Sequence, residues 1–487
     1  MLQRESLAGI PRPWIRNWQP YLLLAAGVLT LLGLFAYLDL WGNDDPYITY
    51  RYSANLLKGV GPVYNEGQRV LSTTAPLYAL LLAGLGLLGP DLPLLSSGVG
   101  AIALLLSAWV LYRWAAFRGQ AHVGIVAALL LTLSSYLLRS LGAESSLYTL
   151  LILLGFYAYD RDRLYGAAVA LALAAMVRPD GAVAALAVFL IHLARRRPIT
   201  WKPLVLYVAL VGLWYAGLWF YYGLPIPVTL AAKQKQGQMD ISQEFFAGYL
   251  AVLRDLLRQP LWWAHSLSVV IGLGLAIAKK RPWLILLAWT LLYVVAYTLL
   301  QVSRYPWYYA PLAPAGAVLA AEGAIQILRW LARFRTHPAV RAALMGLALI
   351  AVVAPAADGA LQAAWTPDPR LSVYRDAGEW LWTHTAPDAS VGALEVGIVG
   401  YYSQREIVDF AGLIQPEVAR QLGPDATYHD AATWAIQSYR PDYVLLPQPY
   451  QLFLPGRDWF CQEYEAIRDF TNQESLWLTL YRRSDGP

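Results

Sequence analysis

Two adjacent carboxylates, Asp44 and Asp45, stand in a polar segment that follows a long apolar run. In a half-desolvated cleft, one of them could act as a general base that removes a hydroxyl proton. The pair could also bind a divalent cation through oxygen. Asp44 could instead cap a helix that has Pro46 in its first turn. All three interpretations stay open here, because one aspartate can cap while the other catalyses.

Three basic residues from separate polar loops could meet these carboxylates: Arg178, Lys233 and Arg304. Converging cations could bind a phosphate through charge-assisted hydrogen bonds. Taken one at a time, each is explained at least as well by snorkelling towards lipid headgroups or by a structural ion pair. Glu144 is equally open, since it could contact a substrate or pair with Arg139.

The sequence has no nucleotide-binding or paired-histidine zinc motif. Its single cysteine, Cys461, permits neither an internal disulfide nor a cysteine metal cluster. We therefore predict that no cofactor is required, with a divalent cation as an option. A stripe of Lys and Arg among polar residues, which nucleic-acid binding needs, is also missing, so nucleic acid is not an expected partner.

The composition indicates that the elements positioning these residues are membrane helices. Of 487 residues, 58% are hydrophobic and 14% are charged, against about 25% charged in a soluble domain. Pro76–Leu88 would rise only about 20 Å as a helix, against a hydrocarbon core of about 30 Å, so we predict a helix on the outer membrane surface. Eleven segments are predicted to span the bilayer: Tyr21–Leu40, Leu94–Trp114, His122–Leu138, Ser145–Tyr159, Leu164–Val177, Ala182–Leu193, Leu204–Tyr222, Leu261–Ala278, Trp283–Gln301, Trp307–Leu328 and Ala342–Ala357.

Charge predicts the orientation of these spans. With eleven spans, 18 basic and 3 acidic residues fall on one side, which should be cytoplasmic because basic residues accumulate there. The N-terminus is then cytoplasmic, and the first outer loop is 42–92. The polar clusters that carry Asp44, Arg178 and Lys233 fall on the outer side, so any chemistry is expected there.

A change in composition predicts a domain boundary. Residues 1–359 hold 28 Lys and Arg against 15 Asp and Glu, whereas 360–487 hold 9 Arg, no Lys and 17 acidic residues. Short apolar runs at Val391–Leu394 and Tyr443–Leu446, with helical patterns at Leu371–Thr383 and Asp430–Ser438, predict a small extracytoplasmic α/β domain. Its Gly400-Tyr401-Tyr402 and Asp409 could contact a glycan or belong to the core.

Short polar motifs recur along the predicted outer loops: Asp44-Asp45-Pro46-Tyr47-Ile48, Tyr50-Arg51-Tyr52, Asn55, Tyr64-Asn65-Glu66-Gly67, Gly142-Ala143-Glu144, Arg178-Pro179-Asp180-Gly181, and Tyr222-Gly223 followed by Pro227 and Lys233. In their residues and in their order, these motifs resemble those of the GT-C glycosyltransferases, most closely the arabinofuranosyltransferase-like branch. The segment Val70-Leu71-Ser72-Thr73-Thr74 departs from the first outer loop of that branch, which leaves the transferred sugar open.

The resemblance implies an inverting transfer of a monosaccharide from a polyprenyl phosphate to a hydroxyl acceptor on the outer face of the membrane. The acceptor would be a cell-envelope glycan, a glycolipid or a protein. The implied base is Asp44 or Asp45, with Asp44 favoured. The donor phosphate would be bound by Lys233, Arg178 and Arg304, and the substrate contacted by Tyr50, Arg51, Asn55, Glu144 and Asp180.

Two other functions fit an apolar chain with outer cations. A transporter or flippase of lipid-linked glycans is disfavoured because the two halves of the sequence show no internal repeat. A non-enzymatic membrane scaffold would leave the polar first loop unexplained.

Overall fold

The computed structural model describes residues 27, 43–89, 91–366, 368, 370–448, 451–472 and 477–484. The predicted span Tyr21–Leu40 lies outside the described residues, apart from Gly27. The described chain up to residue 365 is built mainly from helices. They are Asp45–Leu57 (α1), Pro76–Gly86 (α2), Leu92–Phe117 (α3), Ala121–Thr132 (α4), Ser135–Leu138 (α5), Ser145–Asp160 (α6), Leu164–Val177 (α7), Gly181–Ala194 (α8), Trp201–Tyr222 (α9), Thr229–Gly237 (α10), Phe245–Arg258 (α11), Trp263–Ala278 (α12), Leu284–Leu299 (α13), Ala313–Leu331 (α14) and Pro338–Trp365 (α15).

Apolar helices match most of the predicted spans. Five helical stretches among the described residues are long and apolar enough to cross a membrane: Leu92–Phe117, Trp201–Tyr222, Pro260–Ala278, Pro306–Leu331 and part of Pro338–His384. Five shorter apolar helices accompany them: Pro76–Gly86, Ala121–Thr132, Leu164–Val177, Gly181–Ala194 and Leu284–Leu299. The chain is therefore a helical protein with the composition of a membrane protein, and the number of eleven spans stays a prediction.

Two predicted spans are not continuous α-helices. The span His122–Leu138 is interrupted at Leu133 and Ser134, between α4 and α5. The segment Trp307–Leu328 begins with two short 3-10 turns, Pro306–Tyr308 and Ala310–Leu312, because prolines interrupt its hydrogen bonding before α14. Residue 359, after which the domain boundary is predicted, lies inside α15, and that boundary stays a prediction.

Close helix packing depends on small residues. A Cβ atom at Gly272 of α12 would lie 1.9 Å from the carbonyl oxygen of Leu319 in α14, and one at Gly323 would lie 1.9 Å from that of Ser268. Any side chain at either position would force the two helices apart. Contacts of this kind let helix backbones approach where apolar burial between helices gives little driving force.

Two buried carboxylates of the helical part are neutralised by side-chain donors, one at the end of α6 and one within α14. Asp160, at the end of α6, accepts hydrogen bonds from Trp114 Nε1 at 2.8 Å and Arg118 Nε at 2.7 Å. Glu322 has an equivalent pair of donors, Trp283 Nε1 and Arg281 Nε, each at 2.7 Å. Each carboxylate is thereby paired, as a buried charge must be.

The C-terminal part forms a five-stranded sheet with helices against it. The strands are Ser390–Ala393 (β1), Glu406–Asp409 (β2), Tyr443–Pro447 (β3), Tyr464–Thr471 (β4) and Trp477–Arg483 (β5), in the order β2-β1-β3-β5-β4. Strand β1 is parallel to β2 and β3, and β5 is antiparallel to β3 and β4. The helices are Arg370–His384 (α16), Gly397–Ser403 (α17), Pro416–Ala419 (α18), Tyr428–Tyr439 (α19) and Asp458–Glu463 (α20). The two predicted strands and two predicted helices are confirmed within two residues at each end.

Candidate functional site

Asp44 joins the first loop to the C-terminal domain. It occupies the N-cap position of α1, but its side chain makes no capping bond to that helix. Its carboxylate accepts hydrogen bonds from Gly397 N at 2.6 Å and Ile398 N at 2.7 Å, the first N–H groups of α17. Of the three interpretations of this pair, capping of α1 by the Asp44 side chain is therefore not observed. Burial and the nearby Glu395 raise the pKa of the Asp44 carboxyl, against the lowering effect of the two N–H donors.

The neighbouring aspartate forms an ion pair inside the protein. Asp45 Oδ2 lies 2.7 Å from Lys233 Nζ. The lysine side chain is 5% exposed and the aspartate side chain 28% exposed. Lys233 Nζ also lies 4.8 Å from the ring centre of Tyr305, 5.4 Å from Trp307 and 5.5 Å from Tyr308. Burial alone would lower the pKa of Lys233, but Asp45 and Tyr308 outweigh it and the pKa is raised. Lys233 is thus a fixed cation.

Arg178 forms the second ionic cluster and makes four hydrogen bonds to its neighbours there. Its guanidinium contacts both carboxylate oxygens of Asp180, at 3.1 and 2.9 Å, and donates to Glu144 at 3.3 Å. Tyr297 Oη accepts from Arg178 at 2.9 Å and donates to Asp180 at 2.7 Å. Glu144 therefore pairs with Arg178, and the alternative pairing with Arg139 is corrected. The cluster is held by helix ends, because Arg178 follows α7 and Asp180 precedes α8.

Two cavities meet at Asp45. The first cavity, of about 320 Å³, is lined by Lys233, Arg178, Asp180 and Glu144 and by apolar side chains such as Ile226, Leu230 and Leu300. The second cavity, of about 390 Å³, lies between the helices and the C-terminal domain. Asn43, Asp45 and Trp307 line both. Asp45 is therefore accessible from both cavities.

Two polar atoms at the first cavity have no partner within the described part of the chain. Asn43 Oδ1 and Ser145 Oγ are buried and make no hydrogen bond to any described residue. Both residues line the first cavity. Because buried polar groups are nearly always hydrogen-bonded, these two atoms are suited to contact a polar ligand.

Three residues that the resemblance assigned to substrate binding lie away from both cavities. Tyr50, Arg51 and Asn55 are all buried in α1. Their side chains hold the first loop in shape by donating to backbone carbonyls. Tyr50 donates to Gly142; Arg51 donates to Tyr64 at 2.8 Å, Arg405 at 2.6 Å and Gly400; and Asn55 donates to Val63 at 2.8 Å and Tyr64 at 2.9 Å. Spacing along the sequence could not distinguish these structural bonds from substrate contacts.

Arg304 is not brought to the other two cations. It is exposed, it lines neither cavity, and its guanidinium donates to Gln243 Oε1 at 2.8 Å. Asp409 of the C-terminal domain is a core residue whose carboxylate accepts from Ala411 N at 2.7 Å and Ile414 N at 2.8 Å. Burial raises the pKa of Asp409 to about 6 despite those donors. Tyr401 packs against Tyr47, at 5.7 Å between ring centres.

Several residues of the second cavity were missed by the sequence analysis. Glu395 lies just beyond the carboxyl end of β1, where parallel strands commonly place ligand-contacting residues. Its position between the predicted strand Val391–Leu394 and the segment Gly400-Tyr401-Tyr402 was the signal available in the sequence. Arg370 lies 3.3 Å from Glu395 and 2.6 Å from Asp368, and Tyr428 begins α19. All four line the second cavity.

The described residues contain no group of three or more His, Cys, Asp or Glu side chains that could hold a metal ion. Asp44 and Asp45 are adjacent in sequence, but their carboxylates have different partners, α17 and Lys233. The cofactor prediction, including the option of a divalent cation, stays a prediction.

Two comparisons with known protein sequences match parts of the chain. Residues 364–483 match a family model described as a domain of unknown function, DUF8728. A terminal β-(1→2)-arabinofuranosyltransferase of Mycobacterium tuberculosis is 29% identical over 291 residues, covering 53% of this chain and 45% of that protein. The chain thus matches less than half the length of this relative.

Two solved structures share the fold over almost the whole chain. The oligosaccharyltransferase AglB from Archaeoglobus fulgidus, in complex with an inhibitory peptide and a dolichol-phosphate, has a TM-score of 0.61 and 14% identity, covering 96% of this chain and 75% of that chain. ArnT from Cupriavidus metallidurans, bound to undecaprenyl phosphate, has a TM-score of 0.56 and 13% identity, covering 96% of this chain and 99% of that chain. The predicted resemblance is confirmed: these neighbours are glycosyltransferases of the GT-C type.

Proposed function

We propose that this chain, which has the GT-C glycosyltransferase fold, moves a monosaccharide from a polyprenyl-phosphate donor to a hydroxyl acceptor, with inversion at the anomeric carbon. The observation that carries the proposal is the position of Asp45, which lies where two cavities meet and is paired with the buried Lys233. A transferase needs a place for each substrate and a base between them. The acceptor class is a glycan, a glycolipid or a protein.

The donor enters the first cavity in this proposal. Its phosphate oxygens compete with Asp45 for Lys233, which stays in place because three aromatic rings surround its ammonium group. Loss of this partner leaves Asp45 free to act as a base, so donor binding and base activation are one event. Arg178 holds Glu144 and Asp180 at the cavity wall, where their oxygens can accept hydrogen bonds from sugar hydroxyls.

The chemical step involves one proton and two bonds. Asp45 accepts the proton of the acceptor hydroxyl while the oxygen of that hydroxyl attacks the anomeric carbon. The bond between that carbon and the phosphate oxygen breaks, and polyprenyl phosphate leaves as an anion that Lys233 stabilises. Phosphate is a good leaving group, so no general acid is required. Asp45, not Asp44, is the base in this proposal, because both Asp44 oxygens are occupied by N–H groups of α17.

The lipid-linked donor is supported by two neighbours whose structures contain a lipid phosphate, dolichol-phosphate in AglB and undecaprenyl phosphate in ArnT. The relative from Mycobacterium tuberculosis supports a pentose as one candidate sugar. We further propose that the site and the C-terminal domain face the outside of the cell membrane, with the N-terminus in the cytoplasm, because basic residues concentrate at the opposite helix ends.

Transfer from a radiolabelled polyprenyl-phosphate sugar tests the proposal. We expect purified protein in nanodiscs to consume the donor and release polyprenyl phosphate only when a hydroxyl acceptor is supplied. A flippase would instead move intact donor between leaflets of a vesicle, and a scaffold would do neither. Intact donor after incubation with envelope glycans, glycolipids and proteins would reject the transferase.

A further inference from the structure

The second cavity is built by two parts of the chain. The helices contribute Asp44, Asp45 and Trp307, and the C-terminal domain contributes Glu395, Arg370 and further side chains. The segment that supplies the second wall is the one that matches a domain of unknown function. The ligand that this wall can bind therefore indicates the role of this domain.

The charges of the second cavity oppose an anionic ligand. Its lining has four carboxylates and two guanidinium groups, and neither Lys nor His among the described residues: Asp44, Asp45, Asp368, Glu395, Arg139 and Arg370. With Lys233, which pairs with Asp45 from the side of the first cavity, the formal net charge is −1. In a partly desolvated cavity, like charges repel more strongly than in water. Three carboxylates are each paired with a cation and Asp44 with backbone N–H groups, so they can accept hydrogen bonds from hydroxyls but have little charge left to attract a cation.

Aromatic rings complete the lining. Trp307 and Tyr305 are stacked at 4.6 Å between ring centres with an angle of 22°, and Tyr428 faces the same cavity from the C-terminal domain. Aromatic rings offer broad apolar surfaces with polar edges. Such surfaces together with acceptors for hydroxyl groups match a molecule that has C–H faces and many hydroxyls, as saccharides do.

The Glu395–Arg370 pair is placed to form hydrogen bonds with the hydroxyl groups of such a molecule. Its nitrogen–oxygen distance is 3.3 Å, and the two side chains remain 34% and 48% exposed. A guanidinium has five N–H donors, more than Asp368 and Glu395 use. The pair can therefore give one donor and one acceptor to neighbouring hydroxyls without breaking up.

We propose that the second cavity binds an uncharged saccharide, and that Glu395 and Arg370 of the C-terminal domain determine its specificity. Naming this saccharide as the acceptor rests on the proposed function, whereas the binding site itself does not. The domain of unknown function thereby receives a role as one wall of a saccharide site.

Saccharide binding can be measured without any donor. Saturation-transfer NMR on the full chain in nanodiscs would use two matched probes, an uncharged methyl pyranoside disaccharide and its uronic-acid counterpart, together with a hydroxyl-containing peptide. We expect binding of the uncharged disaccharide and at least about tenfold weaker binding of the acid. Glu395→Gln and Arg370→Gln should each raise the Kd at least about tenfold, because each removes a charge-assisted hydrogen bond.

Control variants separate this role from a structural one. Glu465→Gln breaks the Arg482–Glu465 pair on the sheet of the same domain, away from the cavity, and should leave the Kd unchanged. If an Arg370 variant unfolds, Tyr428→Leu at the aromatic wall gives a second measurement, and we expect it to raise the Kd for the uncharged disaccharide. Equal Kd values in Glu395→Gln and the unmodified chain, or preference for the acid or the peptide, would overturn the proposal. Saccharide binding without transfer from any lipid-linked sugar would reject the transferase and leave the site standing.

Discussion

Replacing each of the two aspartates by asparagine separates their roles. Asp45→Asn removes the basic group at the junction of the cavities but keeps an oxygen that can accept from Lys233. Asp44→Asn keeps one acceptor for α17 and turns an NH₂ group towards an N–H donor. The first change is therefore expected to act on the chemistry, and the second on the attachment of the C-terminal domain.

The expected magnitudes follow from these contacts. Loss of a general base slows a reaction by about 10²- to 10⁴-fold, or about 2.7–5.5 kcal/mol in activation free energy. A charge-assisted hydrogen bond contributes about 1.5–3 kcal/mol and a neutral one about 1 kcal/mol. Asp45→Asn should therefore cost about 1–2 kcal/mol in the free energy of unfolding, because the amide oxygen can still accept from the buried Lys233 but no longer balances its charge. Asp44→Asn leaves one buried N–H without a partner, which costs about 1–3 kcal/mol.

The assay compares transfer rate with thermal unfolding for both variants in nanodiscs. We expect Asp45→Asn to bind donor, melt close to the unmodified chain and transfer sugar at least about a hundredfold more slowly. We expect Asp44→Asn to melt at a lower temperature, with any loss of rate following the loss of folded protein. Near-normal transfer by Asp45→Asn, together with a slow but thermally stable Asp44→Asn, would refute this division of roles and restore Asp44 as the base.

Four further predictions concern the donor phosphate, the first loop, a divalent cation and the orientation in the membrane. Lys233→Ala should weaken donor binding about 10- to 150-fold, with Lys233→Arg as the charge-retaining control, and unchanged donor affinity would contradict its role. Arg51→Lys should lower the free energy of unfolding by about 3 kcal/mol and leave the donor Kd unchanged, because the guanidinium binds three backbone carbonyls. Treatment with EDTA should leave the transfer rate unchanged, and loss of rate with recovery on adding Mg²⁺ or Mn²⁺ would demonstrate a required cation. A reporter fused after Pro487 should be active outside the cytoplasm and one after Arg197 inside; either result reversed would discard the predicted orientation.

Hydrophobic patterning predicted the helices because a membrane span must satisfy its own backbone and remain apolar for many residues. The segment Leu164–Val177 has the predicted bounds, and other helices differ by a few residues. The ends were less predictable where polar sequence continues a helix, as in Pro338–Trp365. Strands β2, β4 and β5 were missed. For β4 the reason is its place at the edge of the sheet, where it is largely exposed and lacks an apolar pattern.

The members of the site were partly predictable, and their pairings were not. The sequence singled out Asp45, Lys233, Arg178 and Glu144, which all line the first cavity. It could not show that Lys233 pairs with Asp45, because 188 residues separate them. The second cavity was hidden for the same reason, since Glu395 meets the aspartates only through the folding of the C-terminal domain onto the first loop.

The polar residues of the first loop serve two functions that sequence alone cannot separate. Asn65 binds the edge strand of the C-terminal sheet through both atoms of its side-chain amide. The nitrogen donates to Ile407 O at 2.9 Å, and the oxygen accepts from Ile407 N at 3.1 Å. Arg51 and Asp44 make further bonds to the same domain. A Cβ atom at Gly397 would lie 1.9 Å from the Asp44 carbonyl oxygen, so the contact also requires glycine there. Polar groups buried this way are costly to separate, because each would lose its partner. The loop that carries the proposed base is therefore held by the domain that forms the opposite wall of the second cavity. We infer that this attachment fixes the position of Asp45 beside both cavities.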